Sequence, residues 1–390
     1  MRYRQGIRED GPEMPVRARL QQMLQRRYWA SRWEIPDDFF EFSHYLRAVQ
    51  NLDMTSSPGY PYLLQYPNNK NLFGVNGAGE PDPVRLRMVW ELIMDRLVNR
   101  DADPIRLFVK QEPITKTKLA AGRNRLISSV SVVDQLIDSM LFGPHNEEIH
   151  RKHIFLPSKV GWSPYQGGWK IIPKGWVATD KSAWDWTMMM WVVEEILECR
   201  TSLCKTQGPL LVRWRDLASW RYNKLFVNTQ FVTSGGLVFT AKFNGVQKSG
   251  SINTIDDNTM AQDILHLRAC IETDQAARYQ YIMGDDVLQE IPDDPNTYYK
   301  KLSEYCCLKQ VVRRSEFAGH LFQGMRTEPL YEGKHAYVLL HAKQSVLPDL
   351  ARSYALLYHR SLKKDKMRAI CEKLGEVPTS EILDIIYDGE

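Results

Sequence analysis

Two apolar runs, Tyr279–Met283 and Val287–Ile291, are separated only by Gly284-Asp285-Asp286. A gap this short between strand-forming runs folds back as a hairpin, and the glycine supplies the backbone freedom that the turn needs. Two carboxylates are thereby carried to the tip of a hairpin that is otherwise apolar. A third run, Trp176-Val177-Ala178-Thr179-Asp180, is a strand that ends on a carboxylate, and Asp185 follows five residues later at the start of a helix. Adjacent carboxylates repel unless a cation neutralises them, and hard oxygen donors of this kind suit Mg2+ or Mn2+. If the two strands pair, Asp180 faces Asp285 and the site can hold two divalent ions about 4 Å apart, the arrangement that in-line phosphoryl transfer needs.

The rest of the chain must build a scaffold for that sheet. With 390 residues, 43% of them hydrophobic, and eleven Trp, eighteen Tyr and thirteen Phe, the chain can bury a large core and is not disordered. The longest apolar run, Met188 to Val193, is too short to cross a bilayer, and the Arg-rich N-terminus is not a secretory signal. Six cysteines without CxxC spacing point to a reducing compartment and away from zinc or disulfide scaffolds. The pattern predicts helices over 16–29, 83–99, 131–150, 186–199, 251–273, 296–306, 346–358, 361–374 and 380–387. Strands are expected at 176–180, 225–232, 279–283 and 287–291, with short ones near 310–324 and 336–340. Strands and helices alternate without βαβ regularity, so the fold class is α+β. The basic arm over 1–33 either lies against RNA or packs on the protein. His145, His150 and His153 do not share one helix face and read as structural.

Four further features gather around the acids. Ser249-Gly250-Ser251-Ile252-Asn253-Thr254 opens a helix on which Thr254 and Asn258 share a face, able to meet a ribose beside Asp185. Its plain alternative is an N-capped helix with a polar stripe. Arg106, Lys110, Lys116, Lys118, Arg123 and Arg125 are opposed only by Glu112, which suits a triphosphate or an RNA backbone as well as a solvated basic loop. Lys309 follows the hairpin as a cation able to approach a leaving phosphate. Phe317 to Phe322 sets two aromatics around a short turn that carries His320.

In this order, the blocks resemble the RNA-dependent RNA polymerases of positive-strand RNA viruses, most closely the sobemovirus and polerovirus (sobemo-like) group. Matching segments include Ser57–Tyr62, Lys110–Pro113, Gly122–Ile127, Val160–Pro164 and the blocks around Asp180, Ser249 and Asp285. The resemblance implies a right-hand polymerase with an antiparallel-sheet palm flanked by helices. Fingers would be 1–175 and 203–246, the palm 176–202 and 247–324, and the thumb 325–390.

It further implies that Asp180, Asp285 and Asp286, with the adjacent Lys181, form the two-ion site. Asp185, Ser249, Gly250, Thr254 and Asn258 would check the 2′-hydroxyl, while Lys110, Lys118, Arg123 and Arg125 hold the triphosphate. Arg106, Lys116, Phe317, His320, Lys363 and Lys364 would contact RNA. Lys309, or its competitor Arg313, would donate a proton to pyrophosphate. The implied partners are template and nascent RNA, nucleoside triphosphates, other viral replication proteins and, as one of three open priming modes, a genome-linked peptide. The implied location is a membrane-associated replication complex in the host cytoplasm. A reverse transcriptase commonly has an aromatic residue where Asp185 stands. A non-catalytic, nucleocapsid-type RNA-binding protein leaves carboxylates on two strands without a purpose.

Overall fold

A computed structural model describes residues 2–389. Its strands in chain order are β1 (Ile105–Val109), β2 (Leu126–Ser129), β3 (Val177–Lys181), β4 (Gln230–Thr233), β5 (Val238–Thr240), β6 (Gln280–Met283), β7 (Asp286–Gln289), β8 (Leu308–Val312), β9 (Glu316–Phe317), β10 (His320–Gln323) and β11 (Arg326–Pro329). They form three sheets, ordered β2-β1-β4-β5, β6-β7-β3-β8 and β11-β10-β9.

The sheet β6-β7-β3-β8 is antiparallel throughout and carries the acids. Side chains alternate across it with the period of two that a strand imposes. On one face, Ala178 and Leu288 pack with Trp162, Ile172, Phe317 and Phe322. Against the sheet's β6 edge lies the helix Thr254–Glu272, buried along nearly its whole length. The helices Met14–Arg27 and Met190–Ser202 pack on that helix in turn, and all three share the main core with Val132–Arg151 and Pro209–Phe226. The basic N-terminal arm is therefore a packing element: Leu20, Leu24 and Tyr28 are buried, and Arg27 reaches Asp263 at 3.0 Å.

Buried ion pairs lock these helices together. Arg221 grips Asp138 through two bonds of 2.6 and 3.0 Å and approaches Asp134 at 3.3 Å. Arg200 bridges Asp257 at 3.0 Å and Asn146 at 2.8 Å, with His145 Nδ1 at 3.2 Å. His150 meets Asp256 and His153 meets a main-chain carbonyl, so the three histidines have structural partners. The C-terminal residues form a smaller core of their own from the helices Glu332–His341, Leu347–Leu357, Lys364–Cys371 and Ser380–Asp388.

Three sequence expectations fail. The segment 225–232, expected as a strand, divides between the end of the helix Pro209–Phe226 and β4, and the helix itself was not foreseen. Residues 336–340 form a helix, Glu332–His341, since a short apolar run does not distinguish the two states. The helix expected over 186–199 is two pieces, Trp184–Thr187 and Met190–Ser202. All six cysteines are free thiols, and among the described residues no helix is long and apolar enough to cross a membrane.

Candidate active site

The β6–β7 turn is two residues long: Met283 pairs with Asp286, leaving Gly284 and Asp285 as the tip. Gly284 adopts φ 63°, which costs a glycine little. On the other side, β7 pairs with β3 through Thr179 and Val287. Continuing that register by one residue sets Asp180 opposite Asp286, with Asp285 just beyond. The three charges act on one another. Burial, then the negative charges of Asp285 and Asp180, raise the Asp286 carboxyl to about 6.

The helix Thr254–Glu272 fixes the tip. The Gly284 N–H donates to Thr259 Oγ1 at 2.8 Å, Thr259 in turn donates to the Ile255 carbonyl, and Gln262 Nε2 donates to the Asp285 carbonyl at 3.2 Å. Thr259 and Gln262 escaped the sequence reading. Their three-residue spacing on the helix that begins at Thr254 is the signal that marks them.

Asp180 is exposed, and its carboxylate is paired with Lys309 Nζ, a bond that raises the lysine's pKa. Among the described residues, no three His, Cys, Asp or Glu side chains are gathered closely enough to grip an ion as they stand. The donor set nonetheless fits a hard divalent cation, because mutually repelling carboxylates at one sheet end favour a cation among them. Lys181 does not belong to this set. It lies one residue from Asp180, so the strand turns it to the opposite face. There it is buried, donates to Thr179 Oγ1 at 3.3 Å and sits over the Trp184 ring.

Beside the acids, Asn258 Nδ2 donates to Asp185 Oδ1 at 2.8 Å, joining the two residues expected to meet a sugar. Burial raises the Asp185 pKa; the Asn258 bond opposes this, Asp285 adds to it and Arg125 opposes it. Ser249 and Thr254 are differently engaged. Ser249 Oγ accepts from the Ser128 N–H at 3.0 Å, and Thr254 Oγ1 donates to the Lys248 and Ser251 carbonyls. Gly250 N–H donates to the Ser128 carbonyl at 3.0 Å, and a Cβ at residue 250 would lie 2.4 Å from that oxygen. This stretch is thus a joint between the helix and strand β2.

The basic loop between β1 and β2 is closed by a bond from Lys110 N–H to the Arg125 carbonyl at 2.8 Å. Lys110, Lys116, Lys118, Arg123 and Arg125 are all exposed, and Glu112 takes up Lys110 at 3.3 Å and Arg125 at 3.4 Å. The charge of Arg125 reaches Asp185, so this loop borders the site. Arg106 is instead part of the sheet, stacked on Phe108 and directed to Ser234 Oγ. Phe317 is 2% exposed against Trp162 and Tyr281, a core residue rather than an RNA contact. His320 is also buried, its Nδ1 against the Ala318 carbonyl. Lys363 is exposed and paired with Glu332, and Lys364 begins the next helix.

A sequence profile of the viral RNA-dependent RNA polymerases matches residues 36–308, more than two thirds of the chain. The chain belongs to that family. Among curated relatives of this chain, Protein P1-P2 of Pea enation mosaic virus-1 is 29% identical over 95% of the chain and 32% of its own length. Replicase polyprotein P2AB of Cocksfoot mottle virus is 33% identical over 54% of the chain and 22% of its own length. The chain thus spans about a third or less of these relatives. A Sicinivirus 3Dpol RNA dependent RNA polymerase shares the fold, with a TM-score of 0.72 at 20% identity. The match covers 98% of this chain and 87% of that one. The right-hand polymerase architecture expected from the sequence is the fold of this family member.

Proposed function

We propose that the chain synthesises RNA on an RNA template, joining the α-phosphorus of a nucleoside triphosphate to an RNA 3′-oxygen with release of pyrophosphate. The observation that carries this reading is the strand register that brings Asp180 level with Asp286 and beside Asp285. Asp180 and Asp285, supported by Asp286, would hold two Mg2+ or Mn2+ ions. Such ions, when bound, lower the pKa of the attacking hydroxyl and stabilise the leaving pyrophosphate.

The protein's own residues do the rest. Thr259 and Gln262 hold the hairpin tip still. The cations of the 110–125 loop attract and orient the triphosphate through charge-assisted bonds. The Asp185–Asn258 pair offers polar atoms to a 2′-hydroxyl, which favours ribonucleotides and weighs against a reverse transcriptase. Lys309, once released from Asp180, is the proton donor to pyrophosphate. The working location is a membrane-associated replication complex in the host cytoplasm.

Primer extension on a homopolymer template tests the reading. Synthesis should require Mg2+ or Mn2+, prefer CTP to 2′-dCTP, and vanish in Asp285→Ala while the fold persists. RNA binding without synthesis by the folded wild type would favour the nucleocapsid-type alternative.

A further inference from the structure

Lys248 is 1% exposed, and burial together with the positive charge of Arg4 pushes its pKa down to about 7. Its Nζ donates to the carbonyls of Gly245 at 3.0 Å and Val246 at 2.5 Å and lies near the faces of Phe226 and Phe231. Among the described residues no carboxylate pairs with it. A buried amine without a counter-ion is costly where a leucine or methionine fills the same space. Something other than packing must account for it.

The loop that Lys248 grips is tightly packed at Gly245 and strained at Val246. Gly245 has φ 77°, and a Cβ there would stand 2.3 Å from the Met188 carbonyl. Val246 has φ 61°, a left-handed conformation that β-branched residues avoid. Such geometry persists only when its surroundings over-determine it. The Lys248 amine does so by bridging the carbonyls of Val246 and its neighbour Gly245.

The same loop touches Asp185 directly. Gln247 N–H donates to the Asp185 carbonyl at 2.7 Å and Val246 N–H to the Met188 carbonyl at 2.9 Å. From the other side Arg4 donates to the carbonyls of Trp186 and Met188. Meanwhile the carbonyl of Lys248 accepts from Thr254 Oγ1 at 2.8 Å and from the Ser251 N–H, at the start of the helix that carries Asn258. One residue therefore ties together the two backbones whose side chains form the Asp185–Asn258 pair.

We propose that Lys248 is a positioning residue that sets the Asp185–Asn258 geometry and thereby the selection of ribose over deoxyribose. The inference rests on the polymerase reading above and deepens it. Lys248→Met keeps the volume and removes both donors, so the Asp185 turn can shift against the helix. A general loosening would slow CTP and 2′-dCTP alike and leave their ratio unchanged; a displaced sugar check changes the ratio.

The experiment compares kcat/KM for CTP and 2′-dCTP in wild type and Lys248→Met, with hydrogen exchange followed over 183–188 and 245–248. The ratio should fall about tenfold, roughly one lost hydrogen bond, and exchange in both segments should rise. Should Lys248→Met not fold, Lys248→Gln, too short to bridge both carbonyls, carries the same comparison and should lower the ratio by a smaller factor. A wild-type ratio in a folded variant overturns this proposal alone. A wild type that makes no RNA, or makes it without preferring CTP, overturns the polymerase reading along with it.

Discussion

Thr259→Val replaces a hydroxyl with a methyl of nearly the same size, so it opens no cavity in a residue that is fully buried. What it removes is the acceptor for the Gly284 N–H at 2.8 Å, one of the two side-chain bonds from this helix to the turn that carries Asp285. Leaving a buried donor without a partner costs about 1–3 kcal/mol, and because Gly284 is half-exposed the low end applies. If that cost, about 1 kcal/mol, falls on the orientation of the tip, single-nucleotide extension slows roughly 5-fold. For a chain of 390 residues, the unfolding entropy is about 0.8 kcal/mol/K, so the same cost lowers Tm by only about 1 °C. Extension at saturating triphosphate and thermal denaturation measure the two. Thr259→Ser keeps the hydroxyl and should stay close to wild type. A Val variant within twofold of the wild-type rate would refute the claim that this bond orients the tip.

Three other outcomes follow from the packing. Gly250→Ala forces a Cβ to within 2.4 Å of the Ser128 carbonyl, so it should break the joint to β2 and cost about 1–3 kcal/mol; wild-type melting and extension would contradict that contact. Arg221→Met strands Asp138 and Asp134 without their cation and should cost about 3–5 kcal/mol, lowering Tm by roughly 4–6 °C; a smaller shift in thermal denaturation would mean the pair is not essential to the core. Lys248 titrates near 7 when folded, against 10.5 ordinarily. Between those values the unfolded chain holds a proton that the native chain has released, so wild type should gain on Lys248→Met as pH rises, by up to about 1.4 kcal/mol per unit. Urea unfolding of both proteins at pH 6.5 and 9 checks this, and a constant difference between them would rule it out.

What could be read from the sequence was local. The acid-tipped hairpin follows from glycine between two apolar runs, and β3 from an apolar run that ends on Asp180. The helix Thr254–Glu272 follows from its small polar N-terminus. The helix face that carries Thr254 and Asn258 was expected beside Asp185, and Asn258 does bond to Asp185 there. Where local propensity was ambiguous, the reading failed. Ala336 to Leu340 is a short apolar run, and only its packing into the C-terminal core makes it helical. Phe317 was expected to contact RNA, and nothing nearby in the chain announces Trp162, which covers it from over 150 residues away. Thr259 and Gln262 escaped notice because their partners are main-chain atoms of a distant turn. Lys181 was grouped with the ion site as the neighbour of Asp180, whereas its side chain is buried against Thr179 and Trp184.

Binding of two divalent ions requires Asp180 to release Lys309 and join Asp285. Electron paramagnetic resonance of Mn2+ titrated into the protein, with primed template and a non-hydrolysable triphosphate present, reads this directly. Wild type should take up about two ions per chain, and Asp180→Asn and Asp285→Asn should each weaken that uptake sharply while both remain folded. Undiminished Mn2+ binding in Asp285→Asn would contradict the account.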